Sequence, residues 1–153
     1  MTPVERVKQT LLRMPEKLQV IEFDVSTHTS ELAAQALGVE VGQIAKSLVF
    51  LCGDTPVLVV TSGDVKVDQK KLKALTGGKV KFAPQEAVEE ITGFPPGGVC
   101  PVALKNPVRI FIDQSLNRFP VVYAAAGSAA SALPLTVEQL LKITGGELKE
   151  LAC

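Results

Sequence analysis

The fold is decided by one apolar run, Ser47-Leu48-Val49-Phe50-Leu51-Cys52, and by a second, Val57-Leu58-Val59-Val60-Thr61, that follows it closely. Both runs are short, uncharged and rich in apolar residues, which is typical of buried strands. Gly53-Asp54-Thr55-Pro56 lies between them, and these residue types favour a turn. The sequence therefore predicts a buried β-hairpin at this point of the chain.

Helices are predicted on both sides of the hairpin. Thr2-Pro3-Val4-Glu5 has the form of a capping box, and apolar residues follow it at helical spacing. Four more helices are predicted, each from an N-terminal cap to a terminating glycine: Thr29 or Ser30 to Gly38, Asp68 to Gly77, Pro84 to Gly93, and Thr136 to Gly145.

Further short strands complete the predicted elements, at residues 20–23, 80–82, 108–112, 121–125 and 148–151. Strands and helices do not alternate regularly, which indicates an α+β fold rather than a doubly wound sheet. The small-residue segment at 124–131 is interpreted as a loop, either a plain connection or a place where a ligand approaches the backbone. Without a linker, repeat or low-complexity segment, residues 1–153 are predicted to form a single domain.

Composition excludes several classes of protein. Hydrophobic residues make up 46% of the chain and charged residues 21%, which indicates a globular rather than a disordered protein. The formal net charge is zero, so any nucleic acid contact is expected to be local. Cys52, Cys100 and Cys153 form no CxxC pair, which argues against a zinc site or a disulfide framework. We expect no membrane segment, and a cytoplasmic location.

No conventional catalytic triad is visible. His28 is the only histidine, it precedes a helix cap, and no G-x-S-x-G motif accompanies it. Lys46 adjoins the first apolar strand, where its ammonium could reach a phosphate or a carbonyl. The alternative is a surface lysine whose stem covers apolar surface.

The segment Gly97-Gly98-Val99-Cys100-Pro101 is the strongest candidate for a backbone binding loop. Adjacent glycines let main-chain N–H groups converge on an anion or a carbonyl oxygen, although a tight surface turn would use the same residues. Cys100 has no base nearby to activate its thiol, so we interpret it as a packing residue or a pocket wall. A lysine-rich segment includes Lys66, Lys70 and Lys71, either as a contact for phosphates or as a solvated face.

The order of the motifs along the chain adds information that no single motif carries. The relevant blocks are Leu37-Gly38-Val39, Ile44-Ala45-Lys46-Ser47-Leu48-Val49-Phe50, Val67-Asp68 with Lys71-Leu72, Thr92-Gly93-Phe94 with the glycine segment, and Tyr123 with Ala126-Gly127-Ser128. Together they cover about residues 29–141, and in this order they resemble the YbaK/prolyl-tRNA-synthetase-associated editing family.

The resemblance implies a fold, an activity and a site. The expected fold is a twisted mixed sheet, mostly antiparallel and barrel-like, flanked by helices. The expected activity is hydrolysis of mischarged tRNA without a cofactor or metal, in trans or beside prolyl-tRNA synthetase, with no DNA as partner. The site residues that follow from this interpretation are Lys46, Gly97 and Gly98 as catalytic, Val99, Cys100, Pro101, Gly127, Ser128, His28 and Thr29 as substrate-binding, and Lys66, Lys70 and Lys71 as tRNA-binding.

Two alternatives to this activity stay open. The first is a module that binds aminoacyl-tRNA or a free amino acid without cleaving anything, because such a module would keep the same pocket residues. The second is a small-molecule hydrolase that uses Cys100 as a nucleophile. If the chain instead hydrolyses mischarged tRNA, as the resemblance implies, the expected substrate is cysteine or alanine attached to proline tRNA.

Overall fold

The computed structural model describes residues 1–153, which form five α-helices and an eight-stranded sheet. The helices are α1 (Pro3–Leu12), α2 (Ser30–Leu37), α3 (Gln69–Thr76), α4 (Gln85–Thr92) and α5 (Val137–Thr144). The strands are β1 (Ile21–Glu22), β2 (Ile44–Cys52), β3 (Thr55–Ser62), β4 (Val80–Phe82), β5 (Arg109–Asp113), β6 (Val122–Ala124), β7 (Ser131–Leu135) and β8 (Glu147–Lys149). There are two 3₁₀ helices: Val41–Gln43 lies between α2 and β2, and Gln114–Arg118 lies between β5 and β6.

The predicted hairpin forms the centre of the sheet. β2 and β3 pair antiparallel from Cys52↔Thr55 to Ala45↔Ser62. β2 begins at Ile44 rather than at residue 47, because its first two residues also pair with β6. Lys46 therefore lies within a hydrogen-bonded strand, whereas the sequence had suggested a position at the mouth of the strand.

The sheet confirms the predicted α+β class. Its strand order is β1-β7-β6-β2-β3-β5-β8, and β4 pairs with β2 beside this path. The parallel pairs are β2 with β6, β3 with β5 and β5 with β8, and the remaining pairs are antiparallel. The path ends at β1 and β8, so the sheet stays open and the expected barrel-like closure does not form.

β7 lies partly in the segment that was predicted to be a loop. It pairs antiparallel with β6 on one side and with β1 on the other. Its Pro134 lies beyond the two residues that pair with β1, so the missing N–H of proline leaves no gap in that ladder. Because of its small residues and its internal proline, this strand has no local sequence pattern that predicts it.

Both faces of the sheet are covered by apolar residues. The larger core contains Val7 and Leu11 of α1, Leu140 of α5, and also Val99 and Cys100 of the glycine segment. The smaller core lies on the opposite face, where Leu72 of α3 and Leu151 pack on β2, β3 and β5. The glycine segment is thus part of the main core, which fixes its place beside β2.

The predicted helix caps are present at the residues expected. Capping boxes form at Thr2 with Glu5 and at Thr136 with Gln139, and Thr29 caps α2. Gly93, after α4, has the left-handed conformation that ends a helix. None of the helices has the length and apolar character needed to cross a membrane.

Candidate functional site

A cavity of about 230 Å³ opens between β2, the start of α2 and the glycine segment. Five of the predicted site residues line it, namely His28, Thr29, Lys46, Gly97 and Val99. The structure therefore brings together residues that lie up to about 70 positions apart in the sequence. Most of the remaining wall is apolar, from α2, β2 and β6.

Lys46 is the only lysine or arginine among the residues that line this cavity. Its Nζ atom donates a hydrogen bond to the carbonyl oxygen of Val65 at 2.8 Å. Burial lowers the pKa of Lys46, and the nearby carboxylates of Glu31 and Asp64 oppose this shift. An ammonium has three protons, so a single carbonyl partner leaves two for a ligand.

Two residues of the glycine loop, defined here as residues 95–102, line the same cavity. The N–H groups of Gly97 and Val99 donate to no acceptor within the protein, and both residues line the cavity. Gly97 has a φ of 84°, in the region that favours glycine, and a Cβ there would lie 3.3 Å from Cβ of His28. The loop can therefore hold a carbonyl or an anion through these two positions.

Gly98 does not have the role expected of it. Its N–H donates to the carbonyl oxygen of Pro95 at 2.9 Å, so this amide is not available to a ligand. Its carbonyl oxygen instead accepts from the N–H of Gly127 at 3.0 Å, and a Cβ at Gly98 would lie 2.9 Å from Cα of Ser128. Gly98 is thus the contact point between two loops rather than a donor to substrate.

Cys100 and Pro101 lie behind the cavity wall. Both are buried, and neither lines the cavity. Burial raises the pKa of the Cys100 thiol to about 11, although N–H groups of Val102 and Ala103 act in the opposite direction. The thiol is therefore protonated at neutral pH, which argues against Cys100 as a nucleophile and against its prediction as a substrate contact.

Gly127 and Ser128 also support the cavity from outside. A Cβ at Gly127 would lie 2.8 Å from the carbonyl carbon of Pro3, so α1 packs directly on this loop. Ser131, which does line the cavity, accepts hydrogen bonds at Oγ from the N–H groups of Ala126 and Ser128, at 3.1 and 3.2 Å. Gly127 and Ser128 do not line the cavity but support its wall, so the prediction that they contact substrate is not supported.

His28 and Thr29 stand at the rim without the partners that acid–base chemistry needs. His28 is exposed, and its Nδ1 lies 2.8 Å from Oγ of Ser26. The hydroxyl of Thr29 accepts from the N–H of Leu32, as the cap of α2. No carboxylate is bonded to the imidazole, so these residues form no triad with a serine or cysteine.

Comparison with known proteins identifies the family. The sequence model described as "Aminoacyl-tRNA editing domain" matches residues 24–143. This chain belongs to that family. The match includes β2, the glycine loop and the Gly127 loop, and therefore the whole cavity.

Individual relatives agree with this membership. The chain is 43% identical over 122 residues to "Uncharacterized protein YwhH" of Bacillus subtilis, a match that covers 79% of this chain and 78% of the relative. It is 30% identical over 152 residues to "Putative Cys-tRNA(Pro)/Cys-tRNA(Cys) deacylase EbsC" of Enterococcus faecalis, covering 94% and 93%.

A solved structure shares the fold over the full length of this editing domain. It is described as "Crystal structure of a putative trans-editing enzyme for prolyl tRNA synthetase" and superposes with a TM-score of 0.93. The sequence identity is 38%, and the match covers 100% of this chain and 98% of the other. The predicted family fold is thereby confirmed.

The three predicted tRNA-binding lysines have different surroundings in the editing domain. Lys66 and Lys70 are exposed, and the charge of Lys66 contributes to lowering the pKa of Lys46. Lys71, in contrast, donates to Oε1 of Glu150 at 3.1 Å and to the carbonyl oxygen of Ala152 at 2.8 Å. Its ammonium fastens the C-terminal residues, so the prediction of Lys71 as an RNA contact is not supported.

Several lining residues escaped the sequence analysis. Tyr123, Ser131 and Ala132 enter the cavity from β6 and β7, and Ser47 from β2. The hydroxyl of Ser47 is buried and has no hydrogen-bond partner. Ser131 and Ala132 could be placed only by recognising β7 as a strand beside β6, whereas Tyr123 and Ser47 lie in sequence blocks that resemble the editing family.

Proposed function

We propose that this editing domain hydrolyses the ester bond between a wrongly attached amino acid and the 3′ end of tRNA. The observation that carries the proposal is that one cavity is lined by Lys46 and by Gly97 and Val99, whose N–H groups have no acceptor within the protein. Membership of the editing family and the name of the Enterococcus relative support it.

The geometry suits a reaction that needs orientation more than a protein nucleophile. An aminoacyl ester is already activated, so holding it and stabilising the developing oxyanion are the main requirements. In the proposed mechanism the N–H groups of Gly97 and Val99 hold the ester carbonyl, while Lys46 anchors a phosphate or another polar group of the terminal adenosine.

Water, or the side chain of the amino acid itself, then attacks the ester carbon. The bond from that carbon to the ribose oxygen breaks, and the ribose oxygen takes the proton that the attacking group loses. With water as the attacking group, the products are the free amino acid and uncharged tRNA. No redox partner or cofactor is required for this balance.

The size of the cavity favours a small amino acid. A volume of about 230 Å³ lies below the range of about 300–1,000 Å³ that is typical of sites for drug-sized ligands. We therefore propose cysteine or alanine on proline tRNA as substrate; the name of the Enterococcus relative supports cysteine, and that of the solved neighbour supports a link to prolyl-tRNA synthetase. Prolyl-tRNA synthetase is the proposed partner, and Lys66 and Lys70 are the proposed contacts to the tRNA backbone.

Single-turnover deacylation tests the proposal. Proline tRNA charged with cysteine, alanine or serine is mixed with excess protein, and correctly charged prolyl-tRNA serves as the control. We expect release of cysteine or alanine well above the spontaneous rate, and none of proline. Binding of the charged tRNA without any release would instead support the non-catalytic module.

A further inference from the structure

Arg6 of α1 is a half-buried cation that no ion pair explains. None of the five ion pairs in the molecule involves it, and its Nε atom is buried without any hydrogen-bond partner. It lies outside residues 24–143, which the family model matches. Because a buried charge without a counterion is costly, the other contacts of the guanidinium must offset that cost.

The guanidinium binds the two ends of the glycine loop. Nη1 donates to the carbonyl oxygen of Gly93 and Nη2 to that of Thr92, both at 3.2 Å, just before the loop begins. Nη2 also donates to the carbonyl oxygen of Ala103 at 3.2 Å, just after the loop ends. One side chain therefore ties together the residues that enter and leave residues 95–102.

The surroundings fit a guanidinium closely. Thr92 and Gly93 end α4, whose last turn has no basic residue, so Arg6 supplies the positive charge that a helix C-terminus favours. Its Cζ atom lies 4.2 Å from the centre of the buried Phe94 ring. A Cβ at Gly93 would lie 2.7 Å from the Arg6 nitrogen atoms, so the loop entrance accommodates this cation through a glycine.

The same helix supports the second loop behind the cavity. Backbone atoms of Pro3 and Val4 lie against Gly127, whose N–H donates to the carbonyl oxygen of Gly98. α1 thus contacts the glycine loop directly through Arg6 and indirectly through the Gly127 loop. From these contacts we propose that Arg6 is a positioning residue, which closes the glycine loop and so holds the N–H groups of Gly97 and Val99 at the cavity.

This inference rests on the proposed function, because it assigns Arg6 a part in the same hydrolysis. Closing a loop at its ends reduces the conformations open to the residues between them. Without the guanidinium, the cavity and Lys46 remain in place, but the two N–H groups lose their fixed position. The rate of the bound complex should then fall more than the affinity for tRNA.

The test compares Arg6→Met, which keeps the apolar stem, with Arg6→Lys, which keeps the charge. Arg13→Met is the matched control, since Arg13 is exposed at the end of the same helix and makes no side-chain hydrogen bond or ion pair. All variants are made in the full chain, and the folded fraction is measured first by circular dichroism. Single-turnover deacylation then gives the rate at saturating protein and the protein concentration at half-saturation.

We expect Arg6→Met to lower the saturating rate by about tenfold to a hundredfold, while the half-saturating concentration changes by less than about threefold. Arg6→Lys should recover part of the rate, and Arg13→Met should behave as the wild type. In ¹H–¹⁵N spectra, the amide signals of Gly97 and Val99 should move in Arg6→Met, whereas those of Gly53 and Gly145, whose N–H groups donate to Lys79 and Leu141, should not.

Three results would overturn the role of Arg6. They are a folded Arg6→Met protein with the wild-type rate, a loss of rate that only follows the unfolded fraction, and unchanged Gly97 and Val99 signals. If Arg6→Met does not fold, Arg6→Lys decides. A lower saturating rate with an unchanged half-saturating concentration supports the role of Arg6, and a wild-type rate overturns it. If the wild type releases no amino acid from any tRNA, the proposed function fails, and the amide signals alone decide whether Arg6 closes the loop.

Discussion

The two walls of the cavity are built on different physical principles. On the β2 wall, a side chain carries the chemistry, and a ladder of backbone hydrogen bonds from Cys52↔Thr55 to Ala45↔Ser62 holds it. On the loop wall, main-chain N–H groups are the candidate donors, and the contacts that hold them come from α1 and the Gly127 loop. One wall is therefore sensitive to loss of a side chain, and the other to gain of one.

This difference predicts where substitutions act. Removing a functional group from β2 leaves the strand intact, because its backbone pairing does not depend on the side chain. Adding a methyl group to the glycine loop disturbs the backbone itself, because Gly98 lies against Ser128 with no space for a Cβ. Removing the Lys46 side chain should therefore lower activity but not stability, whereas adding a methyl group to the glycine loop should lower both.

Lys46→Ala should give the largest loss of activity at the smallest cost in stability. We expect the single-turnover rate to fall by about a hundredfold, as when one preorganised charge or donor is removed from a site. Stability should change little, because burial lowers the pKa of Lys46 and its charge is already disfavoured in the fold. The rate is measured on mischarged proline tRNA, and the free energy of unfolding by urea denaturation.

Lys17→Ala is the control for charge, since Lys17 is exposed and forms no ion pair. It should retain the full rate. A Lys46→Ala protein with wild-type deacylation would remove Lys46 from the mechanism and leave the loop wall as the sole candidate.

Gly98→Ala should lower both stability and activity, although the Gly98 amide does not face the substrate. The added Cβ would lie 2.9 Å from backbone atoms of Ser128, so the two loops must separate. Overpacking of this kind costs about 1–3 kcal/mol, and a displaced loop should slow the reaction by about tenfold. Urea denaturation and single-turnover assays on the same preparation measure both effects. A protein that is destabilised but fully active would show that the loop contact serves stability alone.

Gly97→Ala and Gly53→Ala together isolate the effect of position. Both glycines have positive φ, 84° and 65°, so alanine should cost about 1–2 kcal/mol of stability at either site. Nothing lies within 4 Å of a Cβ at Gly53, which is in the turn between β2 and β3, whereas Gly97 lines the cavity. Activity should therefore fall only in Gly97→Ala, and equal rates for the two proteins would contradict a role for the loop wall.

The β2 wall could be predicted from sequence because its determinants are local. Apolar runs, a turn and helix caps specify the hairpin and α2 within a few residues each, whereas the role of Lys46 was expected from the family resemblance and not from its position alone. The backbone loop was also located, since adjacent glycines are visible in any sequence. What the sequence misjudged there was which amide is free, because that depends on the Pro95 carbonyl and on Gly127.

The remaining errors have the same origin in contacts between distant segments. Cys100 was predicted as a possible pocket wall, but the main core encloses it. Lys71 was predicted as a possible RNA contact, but its ammonium binds Glu150. β7 has no alternating pattern, and its strand character comes from β6 and β1 on either side. Arg6 was merely one charge on a predicted helix, and its three carbonyl partners lie more than 80 residues away.

Cys100→Ala should have the smallest effect on activity, and it tests whether the loop wall works through its backbone. Because burial raises the pKa of this thiol to about 11, almost none of it is thiolate at pH 8. The single-turnover rate should therefore stay within about twofold of the wild type, as expected when no thiolate takes part. At pH 8, iodoacetamide should modify the exposed Cys153 and leave Cys100 unmodified in the folded protein, as peptide mass mapping would show. Rapid labelling of Cys100, together with loss of activity in Cys100→Ala, would restore the thiol as the nucleophile, and the comparison between a side-chain wall and a backbone wall would no longer hold.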